Sequence, residues 1–495
     1  MNGVFPLLFC LLFCSQLLSA QLRPADLIVT NANIRTMTSR DAVAQALAVN
    51  GNRITAVGSN TKIRKLAGPE THVIDAGGKL VLPGFNDAHV HFMGIGNTFS
   101  SMELRDVKRG EEILERIRRY AKFLPDGRWI LGSGMSNSIE NPPTRGAIDG
   151  VSAKHPVFLY RLESGSAIAN SVAFARGGLK NETSGVERDS NGVPTGVVRG
   201  DAVQRIIRAV PPDHTRNWPE IAETATNYAA SLGVTSVQDM HSDDSRAVYR
   251  ELQRKGKLKT RVYDCVPMRD WKRLVDSRLP RTAGEMVRDG CLKSFSDGDP
   301  SDVPGLRRDI AAADKAGLQV MVHAIGQAAN NIVLGVFEDV VKMNGTRDRR
   351  LRVEHAHNPR AADVPRFARG EFVASMQPHL FESGNGEYYA TLLRQNAPLA
   401  FGSDAAMVDM NPLLGIHAAV NAGDESITVY GAVLAYTLGS AFAEFQEKEK
   451  GTIELGKLAD FVILSDDIFS IEPAKIRSAS VVMAVTDGKV AFESK

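Results

Sequence analysis

Short apolar runs separated by Gly and Asn turn signals, such as Asn50-Gly51, open and close the chain. These runs lie at residues 27–29, 48–49, 53–57, 71–74, 459–464, 479–485 and 488–491. Apolar runs bounded by turn residues are typical of β-strands. Since either group alone would leave strand edges exposed, the pattern predicts a small β-sandwich domain formed jointly by residues 25–80 and 450–495.

Between these ends, short apolar segments alternate with segments of helical periodicity, such as the face formed by Ile221, Ala225 and Leu232. Eight units of this kind predict an α/β fold, a distorted (β/α)8 TIM barrel over residues 81–449. The predicted barrel strands span residues 79–91, 235–240, 261–266, 291–296, 319–324, 351–355, 373–377 and 399–404.

The connection between the first two predicted barrel strands is far too long for one crossover. It contains a helical segment with Glu112 and Arg116 four residues apart, a strand candidate at 157–160 and a Gly-rich stretch at 177–200. We therefore expect an insertion subdomain after barrel strand 1, over about residues 98–215.

Composition is that of an ordinary globular protein. Of the 495 residues, 43% are apolar and 23% are charged, which excludes disordered chains and disulfide miniproteins. The 59 basic and 57 acidic residues give a net charge of +2, too balanced to bind a phosphate backbone by bulk electrostatics. We therefore expect no nucleic-acid partner. The oligomeric state stays open, a homodimer included.

An uncharged apolar run at residues 4–18 ends in Leu18-Ser19-Ala20. This pattern is typical of a signal peptide over residues 1–20, with cleavage before Gln21, and predicts a secreted or periplasmic protein. The segment before the run lacks Lys and Arg, so an uncleaved anchor remains the alternative. No other stretch is apolar enough to span a bilayer, which predicts no stable membrane insertion after cleavage.

Cys10 and Cys14 lie in the predicted signal peptide, which leaves Cys265 and Cys291 in the exported part. Two cysteines do not make a disulfide framework in a chain of this size. They could pair in an oxidising compartment or be small buried hydrophobic residues, and the second interpretation is favoured.

Polar residues recur where the predicted barrel strands end. His89 and His91 are two residues apart on strand 1, so both imidazoles and Asp87 face the same side. A His-x-His pair alone is weak evidence for a metal. The other polar residues at strand ends are Lys293, His323, His355 and Asp404. Barrel enzymes carry their chemistry at the carboxyl ends of the strands, so this pattern predicts a site there.

Six motifs in order carry a family resemblance. They are LPGFNDAHVH at 82–91, Lys293 followed by Asp297-Gly298, VHAIG at 322–326, RVEH at 352–355, GSD at 402–404 and GKLAD at 456–460. With these motifs the chain resembles the amidohydrolase superfamily over residues 25–492, in its N-substituted formamide deformylase-like branch, the amidohydrolase 3 type.

The resemblance implies a divalent metal site with one or two ions, Zn2+ being the expected metal. His89, His91 and Asp404 would hold one ion, and His323 and His355 a second. Lys293, carboxylated by carbon dioxide, would bridge them. His357 lies two residues beyond His355, so the choice of His355 rests on the family motif.

The activity implied is that of an exported metal-dependent amidohydrolase, which hydrolyses a C–N bond in a small amide or N-substituted formamide by metal-activated hydroxide. Asp404 would move the proton and Lys293 would support the metals. Dipeptidase, imidazolonepropionase-like and lactonase activities remain alternatives on the same site. A catalytically inactive binding protein is another, because Ser166 replaces a His that is common in relatives and several loops look short. Gly200 replaces a Glu that is common in relatives, which bears on substrate recognition by the insertion.

Further candidates are weaker. Asp87 would either orient His89 or make a plain structural hydrogen bond. His379, in the segment Gln377-Pro378-His379, and His241 could touch substrate, although solvated loop histidines are favoured. Core packing is favoured for Met407 and Trp129. The loops after strands 4, 7 and 8 look short for the family, which predicts a wide mouth and a preference for bulky amides.

Overall fold

The structure is a computed structural model. It describes residues 23–494 except 124–125, 128, 137, 162–165, 181, 212–217, 241–244, 277–283, 381–386 and 406. The predicted signal peptide, with Cys10 and Cys14, lies outside the described residues. Within the described part, no helix is both long enough and apolar enough to cross a membrane.

Eight strands form one sheet in chain order, and the pairs along it are parallel, which confirms the predicted α/β barrel. Barrel strands 1 to 8 are Phe85–Val90, Val234–Met240, Arg261–Pro267, Val287–Ser296, Gln319–Ile325, Arg352–His357, Val373–Met376 and Leu399–Phe401. The surrounding helices are Phe92–Ser100, Trp218–Ser231, Arg246–Arg254, Trp271–Asp276, Val303–Lys315, Gln327–Asn344, Val364–Gly370, Tyr389–Arg394, Pro412–Val420, Val429–Leu434 and Ser440–Ala443. Their apolar faces, for example Val333, Val336 and Phe337, belong to the main core.

Backbone hydrogen bonds close the barrel between strand 1 and the segment after strand 8. The amide of Asp404 donates to the carbonyl of His89 at 2.7 Å, and the amide of His91 donates to the carbonyl of Ala405 at 2.6 Å. Gly402 permits this approach, because a Cβ there would lie 2.4 Å from the backbone nitrogen of His89.

The predicted first strand, residues 79–91, is divided in two. Leu80–Pro83 pairs with strands of the small domain, and only Phe85–Val90 enters the barrel. Gly84 lies at the division, where a Cβ would come within 2.2 Å of the Thr235 hydroxyl oxygen. An apolar run does not reveal that it changes sheets, because both halves are buried.

Two sheets near the chain ends pack around their own core, which includes Val29, Leu47 and Phe461. The four-stranded sheet comes from the amino-terminal part, and the six-stranded sheet combines strands from both ends. Their strands are Leu27–Thr30, Asn33–Arg35, Val43–Ala44, Ala46–Asn50, Arg53–Gly58, His72–Asp75, Leu80–Pro83, Phe461–Leu464, Val481–Thr486 and Lys489–Glu493, with one helix at Asn60–Arg64.

A further six-stranded sheet lies between barrel strands 1 and 2 in the sequence. Its strands are Ser101–Glu103, Ile130–Ser133, Val157–Tyr160, Ala167–Ala169, Val186–Arg188 and Pro194–Val198. Its helices are Gly110–Phe123, Arg145–Ser152, Ser171–Arg176 and Asp201–Ala209. Two apolar clusters of its own support this segment, one around Ile113 and one around Trp129.

Cys265 and Cys291 form a disulfide, so the favoured interpretation of two buried thiols is wrong. The two residues are register partners on barrel strands 3 and 4, with Cα atoms 4.6 Å apart. Both are fully buried. The register of barrel strands 3 and 4 decides that the two cysteines pair. The spacing of the cysteines along the sequence does not predict this register.

Replacing both cysteines, as C265A/C291A, should lower the free energy of unfolding by about 3 kcal/mol, because the bond closes a loop of 26 residues and restricts the unfolded chain. Urea unfolding of the wild type and the double variant measures the difference. If a tryptic digest of the unreduced native protein contained the two cysteine peptides unlinked, the bond would be disproved.

Candidate metal centre

Two histidines from strand 1 face one carboxylate at the carboxyl end of the barrel. The Nε2 atoms of His89 and His91 lie 3.5 Å and 3.3 Å from Oδ1 of Asp404. His89, Asp404 and His355 offer ligand atoms that all lie within 4.8 Å of one another. The His-x-His spacing therefore directs both imidazoles to the same point, as the alternation of a strand requires.

Strands 4, 5 and 6 complete the cluster. The Nζ atom of Lys293 lies 3.2 Å from Nε2 of His89. The ring centre of His355 lies 4.5 Å from that of His323 and 4.8 Å from that of His89. All six residues predicted as metal ligands are thus brought together, and His355 rather than His357 provides the imidazole of this group.

Hydrogen bonds hold the ring nitrogens that face away from the cluster. Nδ1 of His89 lies 2.5 Å from Oε2 of Glu354, and Nδ1 of His355 lies 2.7 Å from Oε1 of Gln377. Because each acceptor needs a donated hydrogen, both rings carry theirs on Nδ1 and turn the Nε2 lone pair to the cluster. Sequence reasoning missed Glu354. The sequence did contain a signal for this residue. Arg352 and Glu354 are two charged residues at alternate positions of an otherwise apolar strand.

Burial keeps the imidazoles of His89, His323 and His355 neutral. Burial, and then the charge of Lys293, lowers the pKa of His89 to about 4 and also lowers the pKa of His323. Burial likewise holds the pKa of His355 well below its ordinary value. Burial raises the pKa of Asp404, but the hydrogen bond from His91 and the electrostatic interaction with the surrounding imidazoles outweigh it and lower this pKa to about 2. Neutral imidazoles and an ionised carboxylate are the protonation states that bind a divalent cation.

Asp87 holds the backbone on both sides of the cluster. Its Oδ1 accepts from the amides of His89 and Ser403, each at 3.0 Å, and its Oδ2 accepts from the Ser403 hydroxyl at 2.5 Å. The structural alternative for Asp87 is therefore correct, and the carboxylate that contacts the His89 ring is that of Glu354. His355 and Asp404 have φ angles of 69° and 59°, a left-handed conformation that is strained outside glycine and concentrates at functional sites.

The donor set fits a divalent metal such as Zn2+. Four imidazoles and one carboxylate are ligands that Zn2+ prefers. The two buried rings, His89 and His355, also have the outer hydrogen bonds that metal-ligating histidines almost always make.

The structure places the weaker candidate residues in different surroundings. Nε2 of His379 donates to the carbonyl of Asp409 at 2.6 Å, which ties the segments after strands 7 and 8 together. Trp129 is buried in the core of the insertion, as favoured. Met407 is 65% exposed, so core packing is wrong for this residue, which lies in a turn after Asp404. His241 lies outside the described residues.

Sequence and fold are similar to those of several known proteins. The chain matches the model of the amidohydrolase family over residues 72–492. It is 32% identical to Protein LONG AFTER FAR-RED 3 of Arabidopsis thaliana, with 94% of this chain and 91% of the relative covered. It is 28% identical to the N-substituted formamide deformylase of Arthrobacter pascens, with 94% and 98% covered. The crystal structure of an uncharacterized metal-dependent hydrolase from Pyrococcus furiosus aligns with a TM-score of 0.67 at 26% identity, covering 90% of this chain and 100% of that one. The chain therefore belongs to the amidohydrolase family of hydrolases.

Proposed function

We propose that this protein is an exported, metal-dependent amidohydrolase that hydrolyses a C–N bond in an amide or N-substituted formamide. One observation carries the proposal, the convergence of six residues at the end of the barrel where barrel enzymes place their chemistry. These residues are His89, His91, Lys293, His323, His355 and Asp404. The similarity to a formamide deformylase over nearly the whole chain favours a C–N bond.

His89, His91 and Asp404 would hold one divalent ion, and His323 and His355 a second. A divalent ion in such a site lowers the pKa of water and polarises the substrate carbonyl. The protein's part is to keep the buried imidazoles of His89 and His355 neutral and to fix their orientation, which it does through burial and the outer hydrogen bonds.

Lys293 is placed to become a carbamate. Burial lowers the pKa of the Lys293 ammonium group to about 8. Part of the Lys293 population is therefore neutral amine near neutral pH, which is the form that reacts with carbon dioxide. The neutral amine forms an N–C bond with carbon dioxide and releases a proton. The resulting carbamate would add an anionic oxygen ligand beside His89 for the divalent metal.

Asp404 is placed to move the proton. It is ionised at neutral pH, and its side chain keeps 12% of its surface exposed beside His91, which is 44% exposed. The carboxylate can therefore accept a proton from the attacking water and deliver it to the leaving nitrogen.

Three large, exposed apolar side chains that closely follow cluster residues in the sequence favour a substrate with an apolar substituent. Phe295, two residues beyond Lys293, is 61% exposed, and its ring centre lies 5.5 Å from that of His323. Ile325 is 40% exposed and Met407 is 65% exposed, and both follow cluster residues closely in the sequence. Exposed apolar surface beside convergent polar groups is typical of ligand sites.

A panel of formamides, N-acyl amino acids, dipeptides and lactones tests the function. We expect turnover of C–N substrates, with a higher kcat/KM for aryl or long-acyl amides than for small N-alkyl formamides. Phe295→Ala should reduce this preference about 10-fold, because one apolar contact is worth roughly 1–3 kcal/mol. Met343→Ala is the matched control, since Met343 is also 61% exposed but lies on an outer helix.

Asp404→Asn should lower kcat/KM for the best substrate by about 100-fold or more and serves as the control for contaminating hydrolases. Turnover of lactones alone would refute cleavage of a C–N bond. Binding without any turnover would favour the catalytically inactive protein instead.

Two features support export. The apolar run before Gln21 has the form of a signal peptide, and the Cys265–Cys291 disulfide suits an oxidising compartment. The native protein should therefore begin near Gln21 and be found outside the cytoplasm. Native protein that still begins at Met1 would contradict cleavage.

A further inference from the structure

A buried ion pair lies directly behind His89. Arg352 and Glu354, two residues apart on barrel strand 6, are each 0% exposed. Nε of Arg352 donates to Oε1 of Glu354 at 2.7 Å, and the other carboxylate oxygen faces Nδ1 of His89 at 2.5 Å. A series of side-chain contacts therefore leads from the candidate metal ligand His89 through Glu354 to Arg352 in the barrel interior.

Arg352 is anchored to three other barrel strands. Its Nη2 donates to the carbonyl of Ala88 at 2.6 Å and to the Ser375 hydroxyl at 3.0 Å, and its Nη1 donates to Oε1 of Gln238. These acceptors lie on strands 1, 7 and 2 and are all buried. Glu354 is therefore held against His89 by an arginine that has little freedom to move.

Stability alone does not account for this pair. Removing two charges from water carries a large desolvation cost, and apolar residues of similar volume often replace such pairs without loss of stability. The barrel interior accommodates apolar residues elsewhere, as the buried cluster of Met240, Tyr263 and Met321 shows. The Arg352–Glu354 ion pair instead lies where its carboxylate contacts His89, one of the candidate metal ligands.

We propose that Glu354, held by Arg352, is a positioning residue that fixes the tautomer of His89 and strengthens the binding of the metal ion. An ionised carboxylate only accepts hydrogen bonds, so it keeps the hydrogen of His89 on Nδ1 and leaves Nε2 facing Asp404 and Lys293. Its charge also makes the imidazole a stronger ligand. This inference rests on the metal site of the proposed function.

Glu354→Gln tests the role, since the amide keeps the size of the side chain and removes its charge. One amide oxygen cannot serve both Arg352 and His89 as the two carboxylate oxygens do, so one hydrogen bond is lost. The dissociation constant for Zn2+, measured by competition with a chromogenic chelator, should rise about 10–100-fold. The visible absorption of the Co2+-loaded protein should also change.

A second variant, R352M/E354M, removes both charges and avoids an unpaired arginine. It should keep nearly the unfolding stability of the wild type and still bind Zn2+ more weakly. The matched control is Glu444→Gln at the other end of the barrel, where Glu444 accepts from Arg288 at 2.7 Å and from Lys450 at 2.7 Å. It removes a comparably buried charge and should lose stability without losing affinity for Zn2+.

Wild-type affinity for Zn2+ and an unchanged Co2+ spectrum in both Glu354 variants would overturn the proposal. Equal weakening in the Glu444 variant would also overturn it, because the effect would then be one of general stability. Failure of the wild type to bind either ion would refute the proposed metal site itself, and the role of Glu354 with it.

Discussion

Removal of the divalent metal is expected to lower kcat/KM by more than about 1,000-fold for the best amide of the panel, because activation of water and polarisation of the carbonyl are together worth several kcal/mol. The buried imidazoles cannot replace the metal in polarising the carbonyl, since they are neutral and carry no positive charge. Dialysis against a chelator, metal analysis by mass spectrometry and initial rates measure the effect.

Adding back Zn2+ should restore the rate at one or two equivalents per chain, which also decides how many ions are needed. The unfolding temperature before and after chelation controls for loss of structure. Full activity in protein shown to be metal-free would refute the mechanism.

Lys293→Ala should lower kcat/KM by more than about 100-fold. Loss of an outer hydrogen-bonding residue already reduces metal affinity or activity 10–100-fold, and Lys293 lies inside the cluster, 3.2 Å from Nε2 of His89. Added formate, acetate or propionate should partly restore the rate, because a short carboxylate can occupy the vacated space and supply the missing anionic oxygens.

Lys450→Ala is the matched control. Lys450 is 6% exposed and Lys293 is 5% exposed, but Lys450 pairs with Glu444 at the opposite end of the barrel. Its loss should reduce stability, and short carboxylates should not raise its activity. If carboxylates failed to rescue Lys293→Ala, and if mass spectrometry of native metal-loaded protein lacked the added carbon dioxide, the carbamate would be disproved.

Local sequence patterns predict much of the fold and of the candidate site of this protein. The alternation of short apolar strands with segments of helical periodicity predicts the barrel. Each strand and each helix is a short segment, and the spacing of its apolar residues identifies its type. The six cluster residues are also predictable, since each stands at or near the end of such a segment and a barrel brings those ends together. The His-x-His pair shows this most directly, because alternation along a single strand already directs His89 and His91 to one side.

Contacts between distant segments are what the tertiary structure decides. Strand register places Cys265 opposite Cys291, and the meeting of two sheets at Gly84 divides the first apolar run. The sequence names His89 but does not show that Glu354, 265 residues away, holds its ring, nor that Met407 is exposed beside Asp404. By itself the sequence determined the fold, because the fold follows from the spacing of residues within short segments. It also determined the cluster, although the choice of His355 over His357 needed the family motif as well as the spacing. Only the tertiary structure decided the partners and exposure of those residues, because these depend on which side chains other segments bring within a few ångströms.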